Sequence, residues 1–304
     1  MQSPFGKRRQ RLLGEAFECG IRHFDVARMY GLGAAEGEVG KFARGRRDRI
    51  AIATKFGIEP SGSIGRLAAL QAPARAVVGR FPALRGALRR REGAFHQPRS
   101  YDAATARRSL ETSLRELRTD YVDLFLIHGA APGDAIDLDE LGETLEDLRR
   151  AGTVRAWGLA GEHRSSAELL ATVEPPPVLQ IRDDLFEPFP VDPDRPPITF
   201  GVLSRALPRI VSHVSESDSR RAAWREAVGE DCSHAETVAS LLLRDALLRN
   251  PTGTVLFSST RPERVADAAA AEDLAREGET APLRAFRELV ARMGVAPEVS
   301  AAGA

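Results

Sequence analysis

Lysine is nearly missing from this chain. Of 43 basic residues only Lys7, Lys41 and Lys55 are lysines, and the rest are arginines. Cysteine is as scarce: Cys19 and Cys232 cannot build a disulfide framework, lack metal-site spacing, and fit a reducing cytosol. Net charge is absent too. Basic and acidic residues both number 43, which removes the electrostatic argument for a nucleic acid or membrane partner. No apolar run reaches the ~18 residues needed to span a bilayer. The N-terminal MQSPFGKRRQRLLGEAFECG has basic residues but no apolar core of a signal peptide. It reads as an amphipathic helix from Gly6 to Cys19, and the expected location is the cytoplasm.

What is present is the pattern of a globular protein. Short, near-continuous apolar runs recur at Ile21–Val26, Ile50–Phe56, Val122–His128, Val154–Leu159, Val178–Arg182, Ile198–Leu203 and Thr254–Ser258. Runs of this kind mark strands buried on both faces, as in a parallel sheet covered by helices. Helical stretches lie between them at Ala34–Arg44, Ala103–Arg118, Leu138–Ala151, Ser165–Val173, His234–Arg249 and Pro262–Ala271. Strand-helix alternation over 304 residues predicts an α/β fold, a (β/α)8 TIM-type barrel forming a single domain over 1–304. A doubly wound sheet is the second choice. Seven strands are visible where a barrel has eight, and none precedes the first helix. Either the barrel lacks its first strand or the gene starts further upstream.

Two stretches interrupt the rhythm. Residues 60–99 form a long loop insertion rich in Arg, Ala, Gly and Pro, with Arg89-Arg90-Arg91 near its end. A solvated insertion explains the basic run better than a nucleic acid site. Because it follows a strand, a lid or pocket wall at the C-terminal mouth of the barrel is the sharper expectation. Glu174–Pro197 reads as strand plus loop.

Three strands place polar residues at their C-terminal ends. Asp25 closes the first, and a carboxylate there is costly without a partner. Lys55 near the end of the second is the natural cation. A structural ion pair accounts for the two, and so does a functional pair once Tyr30 in the following loop is included. A nearby ammonium lowers the pKa of a tyrosine hydroxyl, which suits Tyr30 to act as a general acid. His128 ends the third strand, either as a structural histidine or to orient a carbonyl or share a proton with Tyr30. Tyr121 reads as packing and Tyr101 as a loop residue.

FDVARMYGLGAAEGEVG, IAIATKFG, SLETSLRELRTDYVDLFLIH and LEDLRRAGTVRAWGLAG, in this order, resemble the successive signatures of the aldo-keto reductases. The similarity runs from Gly20 to Ala271. It implies a barrel that binds NADP(H) and reduces a small-molecule aldehyde or ketone. It implies a tetrad in which Tyr30 donates the proton, Lys55 and Asp25 tune it, and His128 places the carbonyl. By the same resemblance Gln180 holds the nicotinamide amide, and Phe200 takes the place of a stacking tyrosine, for which a ring face suffices. Gly201 and Leu203 meet the pyrophosphate, Ser258, Ser259 and Arg264 match the 2′-phosphate site, and Asp267 lies beside the adenine. Arg264 favours NADP(H) because a guanidinium pairs well with phosphate.

The sequence departs from the family pattern in four places. Ala160-Gly161 replaces a Ser-Asn pair, Ala268 replaces a frequent Asn, Ser258 replaces a Lys, and the first barrel strand is missing. A second reading follows from these: a catalytically weak nucleotide-binding barrel that acts as a sensor or subunit.

Overall fold

The apolar runs fold as the parallel strands their composition predicts. The structure is a computed structural model and describes residues 4–59, 99–130, 133–162 and 178–294. Of the insertion at 60–99 all but Arg99, Arg89-Arg90-Arg91 included, and the helix expected at Ser165–Val173 lie outside the described residues. The chain divides into two compact units, Met1–Gln180 and Ile181–Ala304.

In the first unit the order is α1 (Pro4–Glu18), β1 (His23–Asp25), a short 3-10 turn (Tyr30–Gly33) and α2 (Ala35–Ala43), followed by β2 (Ala51–Phe56). Then come α3 (Ala103–Leu117), β3 (Val122–His128), α4 (Leu138–Arg150) and β4 (Val154–Gly161), with β5 (Val178–Arg182) beginning at its end. Among the described residues no strand precedes α1. β1, β2, β3 and β4 pair in that order and all in parallel, with Asp25 beside Ala53, Lys55 beside Leu126 and His128 beside Ala160. Ile52, Phe56, Phe125, Leu126, Ile127 and Leu159 are fully buried along these strands. Burying such side chains is worth ~1.5–3 kcal/mol each, which is why the runs carry almost no polar residues.

Two local devices set the strand ends. At Gly158 an added Cβ would lie 1.8 Å from the Val178 carbonyl oxygen, so glycine alone lets β4 and β5 approach this closely. At the N-terminal ends, Asp123 accepts from the Ile52 amide at 2.9 Å and pairs with Arg47 at 2.7 Å and Arg155 at 2.8 Å. Both guanidinium groups also lie on the Tyr121 ring, at 3.8 and 4.2 Å from its centre, so Tyr121 packs.

In the second unit β6 (Ile198–Phe200) pairs in parallel with β7 (Thr254–Val255). Its helices are α5 (Ala206–Val214), α6 (Asp218–Val228), α7 (Ala235–Arg249), α8 (Pro262–Arg276) and α9 (Ala281–Arg292). Both strands are shorter than the sequence predicts. β6 stops at Phe200 because Gly201 takes a φ of +87°, and β7 stops at Val255 rather than Ser258. Helices α5, α6 and α9 are absent from the sequence expectations. They bury Ile210, Val214, Trp224, Val228, Phe286 and Val290 in one cluster with α7.

Candidate active site

Asp25, Tyr30, Lys55, His128 and Gln180 come together in the first unit. Lys55 is 2% exposed, and its ammonium donates to Asp25 Oδ2 at 2.5 Å, to the Val26 carbonyl at 3.1 Å and to Tyr30 Oη at 3.4 Å. The other Asp25 oxygen accepts from Gln180 Nε2 at 3.1 Å. The half-buried carboxylate therefore has the partner its position demands, and a second one from β5. The Tyr30 ring meets the His128 ring edge-on, with centres 5.7 Å apart. The ammonium sits 4.7 Å from the centre of the tyrosine ring.

The electrostatics depart from expectation at Tyr30. Its hydroxyl is held above the ordinary tyrosine range, first by desolvation and then by the carboxylates of Asp25 and Glu162. The lowering expected from an adjacent ammonium does not prevail, because burial disfavours the phenolate and Asp25 offsets the charge of Lys55. Burial likewise lowers Lys55, against the opposing pull of Asp25. Although 36% of Tyr30 stays accessible, its hydroxyl keeps its proton throughout the neutral range.

The loop carrying Tyr30 is fixed by residues that the sequence pattern does not single out. Arg28 pairs with Glu36 of α2 at 2.8 Å and with Glu59, just beyond β2, at 3.3 Å. Tyr101 lies in the loop before α3, as expected, but is buried there, and its hydroxyl donates to the His128 carbonyl at 2.9 Å. A Cβ at Gly57 would lie 2.2 Å from the Tyr101 ring, so a glycine directly after β2 is the local sequence trace of this contact.

The remaining residues named from the resemblance sit in the second unit, apart from the buried Ala160-Gly161 pair that ends β4 and offers no side-chain donor. Phe200 ends β6, and its carbonyl accepts from the Asp183 amide at 2.9 Å. Gly201 follows in the left-handed region. Leu203 packs with Phe257 against Leu243, Ala268 and Ala271, which ties the loops after β6 and β7 to the inner face of α8. Ser258 is exposed, and the Ser259 hydroxyl accepts from the Arg261 amide at 3.0 Å, forming the turn into α8. Arg264 and Asp267 are both exposed, one turn apart on that helix.

Each unit, taken by itself, offers one feature of note. Gln180 Oε1 is buried and accepts no hydrogen bond among the described residues, which leaves an acceptor for an amide N–H. In the second unit the exposed Arg264 stands in the first turn of α8 beside Glu263. Among the described residues no group of His, Cys, Asp and Glu is placed to hold a metal ion, and no helix is long and apolar enough to cross a membrane.

The sequence profile described as the aldo/keto reductase family matches residues 7–189. An uncharacterized oxidoreductase of Bacillus subtilis, YqkF, is 30% identical over 150 residues, covering 49% of this chain and 38% of that protein. The chain spans about half or less of the length of the curated relatives it matches first. Among solved structures, the glycerol dehydrogenase of Gluconobacter oxydans superposes with a TM-score of 0.66 at 19% identity, covering 98% of this chain and 90% of that one. An aldo/keto reductase from Klebsiella pneumoniae, solved in complex with NADP and acetate, gives 0.62 at 20% identity, covering 95% and 87%. At such identities the likeness shows the fold, the (β/α)8 barrel class expected from the strand-helix rhythm.

Proposed function

The chain belongs to the aldo/keto reductase family, and we propose that it is an NADP(H)-dependent reductase of small aldehydes or ketones in which Tyr30 supplies the proton. The observation that carries this reading is the Tyr30 hydroxyl 3.4 Å from a buried ammonium that is itself clamped by Asp25, with the His128 ring against the tyrosine.

When bound, NADP(H) would supply hydride chemistry for reducing the carbonyl carbon. In the first unit Gln180 Oε1 would hold the carboxamide. In the second unit Phe200 would offer its ring face, Gly201 and Leu203 the backbone of the pyrophosphate loop, and Ser258, Ser259 and Arg264 the 2′-phosphate contacts, with Asp267 toward the adenine. The carbonyl oxygen is oriented by hydrogen bonds from His128 and Tyr30. As negative charge builds on that oxygen, Tyr30 Oη gives up its proton, and the Lys55 ammonium steadies the tyrosinate left behind. A raised tyrosine pKa does not obstruct this step, because an alkoxide is more basic than a phenolate. It ensures that the acid is loaded when substrate arrives. Asp25 holds Lys55 charged and aimed, and Gln180 holds Asp25. The two free cysteines, Cys19 exposed and Cys232 buried, fit the reducing cytoplasm in which we place the protein.

The test is NADPH consumption with a panel of aldehydes and ketones, comparing the parent with Tyr30→Phe. Turnover that falls by about 10²–10⁴-fold in the variant, the worth of a positioned general acid, supports the assignment. Unchanged turnover in Tyr30→Phe would remove it. Binding of NADPH without turnover on any carbonyl would favour the sensor or subunit reading, which the donor-free Ala160-Gly161 pair supports.

A further inference from the structure

A buried network outside the tetrad links the two halves of the proton-transfer pair. Arg28 lies two residues before Tyr30 and is 14% exposed. Its Nη1 donates to Glu36 Oε2 at 2.8 Å and its Nε to Glu59 Oε2 at 3.3 Å. Glu36 is 1% exposed, and its other oxygen accepts from Thr54 Oγ1 at 2.7 Å. Thr54 is the immediate neighbour of Lys55, and adjacent residues of a strand point to opposite faces. Glu59 in turn accepts from Ser109 of α3 at 2.9 Å. The network thus reaches the loop with Tyr30 from one side and the strand with Lys55 from the other, through one carboxylate on α2.

Building on the proposed function, we propose that Arg28, Glu36 and Thr54 act as positioning residues that set the separation of the Tyr30 hydroxyl from the Lys55 ammonium. A structural role alone does not explain the layout. Two carboxylates converge on one guanidinium in a mostly buried place, an arrangement with heavy desolvation cost, where apolar packing would hold a loop as well. What a fork of two charge-assisted bonds adds is direction: a guanidinium fixed at both edges cannot rotate, so the backbone two residues on is fixed with it. Proton transfer is sensitive to this, since a misplacement of about 1 Å originating away from the chemistry can cost ~100-fold in rate. A lysine at position 28 would bring the charge but not the fork.

The experiment uses Arg28→Met and Arg28→Lys, with Arg47→Met as a control that cuts the ionic cluster at the opposite ends of the strands. Two readouts separate positioning from stability. One is steady-state kinetics with NADPH and an aldehyde. The other is the nuclear Overhauser contact between the Tyr30 and His128 rings, which is tractable because the chain has only three tyrosines and six histidines. Expected for Arg28→Met is a kcat lower by about tenfold or more, KM for NADPH within about twofold of the parent, and loss of the ring contact. Arg28→Lys recovers part of both, and Arg47→Met lowers the melting temperature with kcat and ring contact unchanged. If Arg28→Met melts cooperatively with the parent's kcat and ring contact, the proposal is overturned. Should Arg28→Met fail to fold, Thr54→Val, which removes only the bond from Glu36 to β2, decides the question on the same readouts. A parent without turnover would sink the reductase reading instead, and the ring contact would then decide the positioning role by itself.

Discussion

An ammonium 3.4 Å from a phenol makes that phenol more acidic when nothing else is near, yet Tyr30 is less acidic than a free tyrosine. Burial is the larger reason, and Asp25 adds to it, because it sits closer to Lys55 than Tyr30 does and takes up its field. The Lys55–Asp25 pair is therefore better described as a neutral unit beside the Tyr30 hydroxyl than as a device that ionises it. Such a unit is costly to halve. Among the described residues Lys55→Met leaves the Asp25 carboxylate with only the Gln180 amide, and removing one partner of a buried ion pair typically costs about 3–5 kcal/mol. Urea unfolding of Lys55→Met should show a loss of that order, and Lys55→Met with Asp25→Asn should recover part of it. Equal stability of the single and double variants would mean that the carboxylate was never dependent on the lysine. At this scale the sequence was informative because lysine is so scarce: a lone Lys on an apolar strand announces a carboxylate. Arg28 gave no such signal in a chain where nearly every cation is an arginine, and Glu36 read as one of many helix carboxylates.

The strands were legible by the apolar surface they bury, whereas two helices with buried apolar faces, α5 and α9, were not. β2 and β3 are nearly all apolar and were found with almost their observed limits. α6 buries only Trp224 and Val228, so its helical period is faint, and its trace lies instead in the Ser217 cap and the left-handed Gly229 that ends it. α9 is similar: Thr280 caps it and a proline follows, while Leu283, Phe286 and Val290 repeat on one face. Capping also yields a pH prediction. Asp102 caps α3 by accepting from the Thr105 amide at 2.7 Å, and hydrogen bonds from Ser100 and Thr105 lower its carboxyl to about 2. A depressed carboxyl contributes stability above the ordinary carboxylate range and loses it as pH falls toward its folded value. At neutral pH, Asp102→Ala should cost about 1 kcal/mol, the usual worth of such a cap. The gap in melting temperature between parent and variant should narrow between pH 5 and pH 2. A gap that stays constant over that range would show that the cap does not depend on the charge.

For the whole molecule the pattern carries more than the identities do. At 19% identity a solved barrel superposes over 98% of this chain, so what the two share is the fold rather than most residue identities. The proximity of Asp25, Tyr30, Lys55 and His128 was readable because each lies at or just after the end of a strand. The proposed nucleotide contacts rest on resemblance alone, because Ser258, Ser259, Arg264 and Asp267 form an ordinary surface turn and helix start with no pattern of their own. Their function therefore rests on Arg264, the one full positive charge among them. A guanidinium on a phosphate is worth roughly 1.5–3 kcal/mol, or about 10–100-fold in affinity. Titration calorimetry should accordingly find NADPH bound tighter than NADH by about that factor, and Arg264→Met should bring the two cofactors level by weakening NADPH alone. The same measurement reads the lost Ser-Asn donors, since those would weaken both cofactors equally and leave the ratio intact. If Arg264→Met weakens NADPH and NADH alike, Arg264 supports the fold of the loop and the 2′-phosphate is read elsewhere.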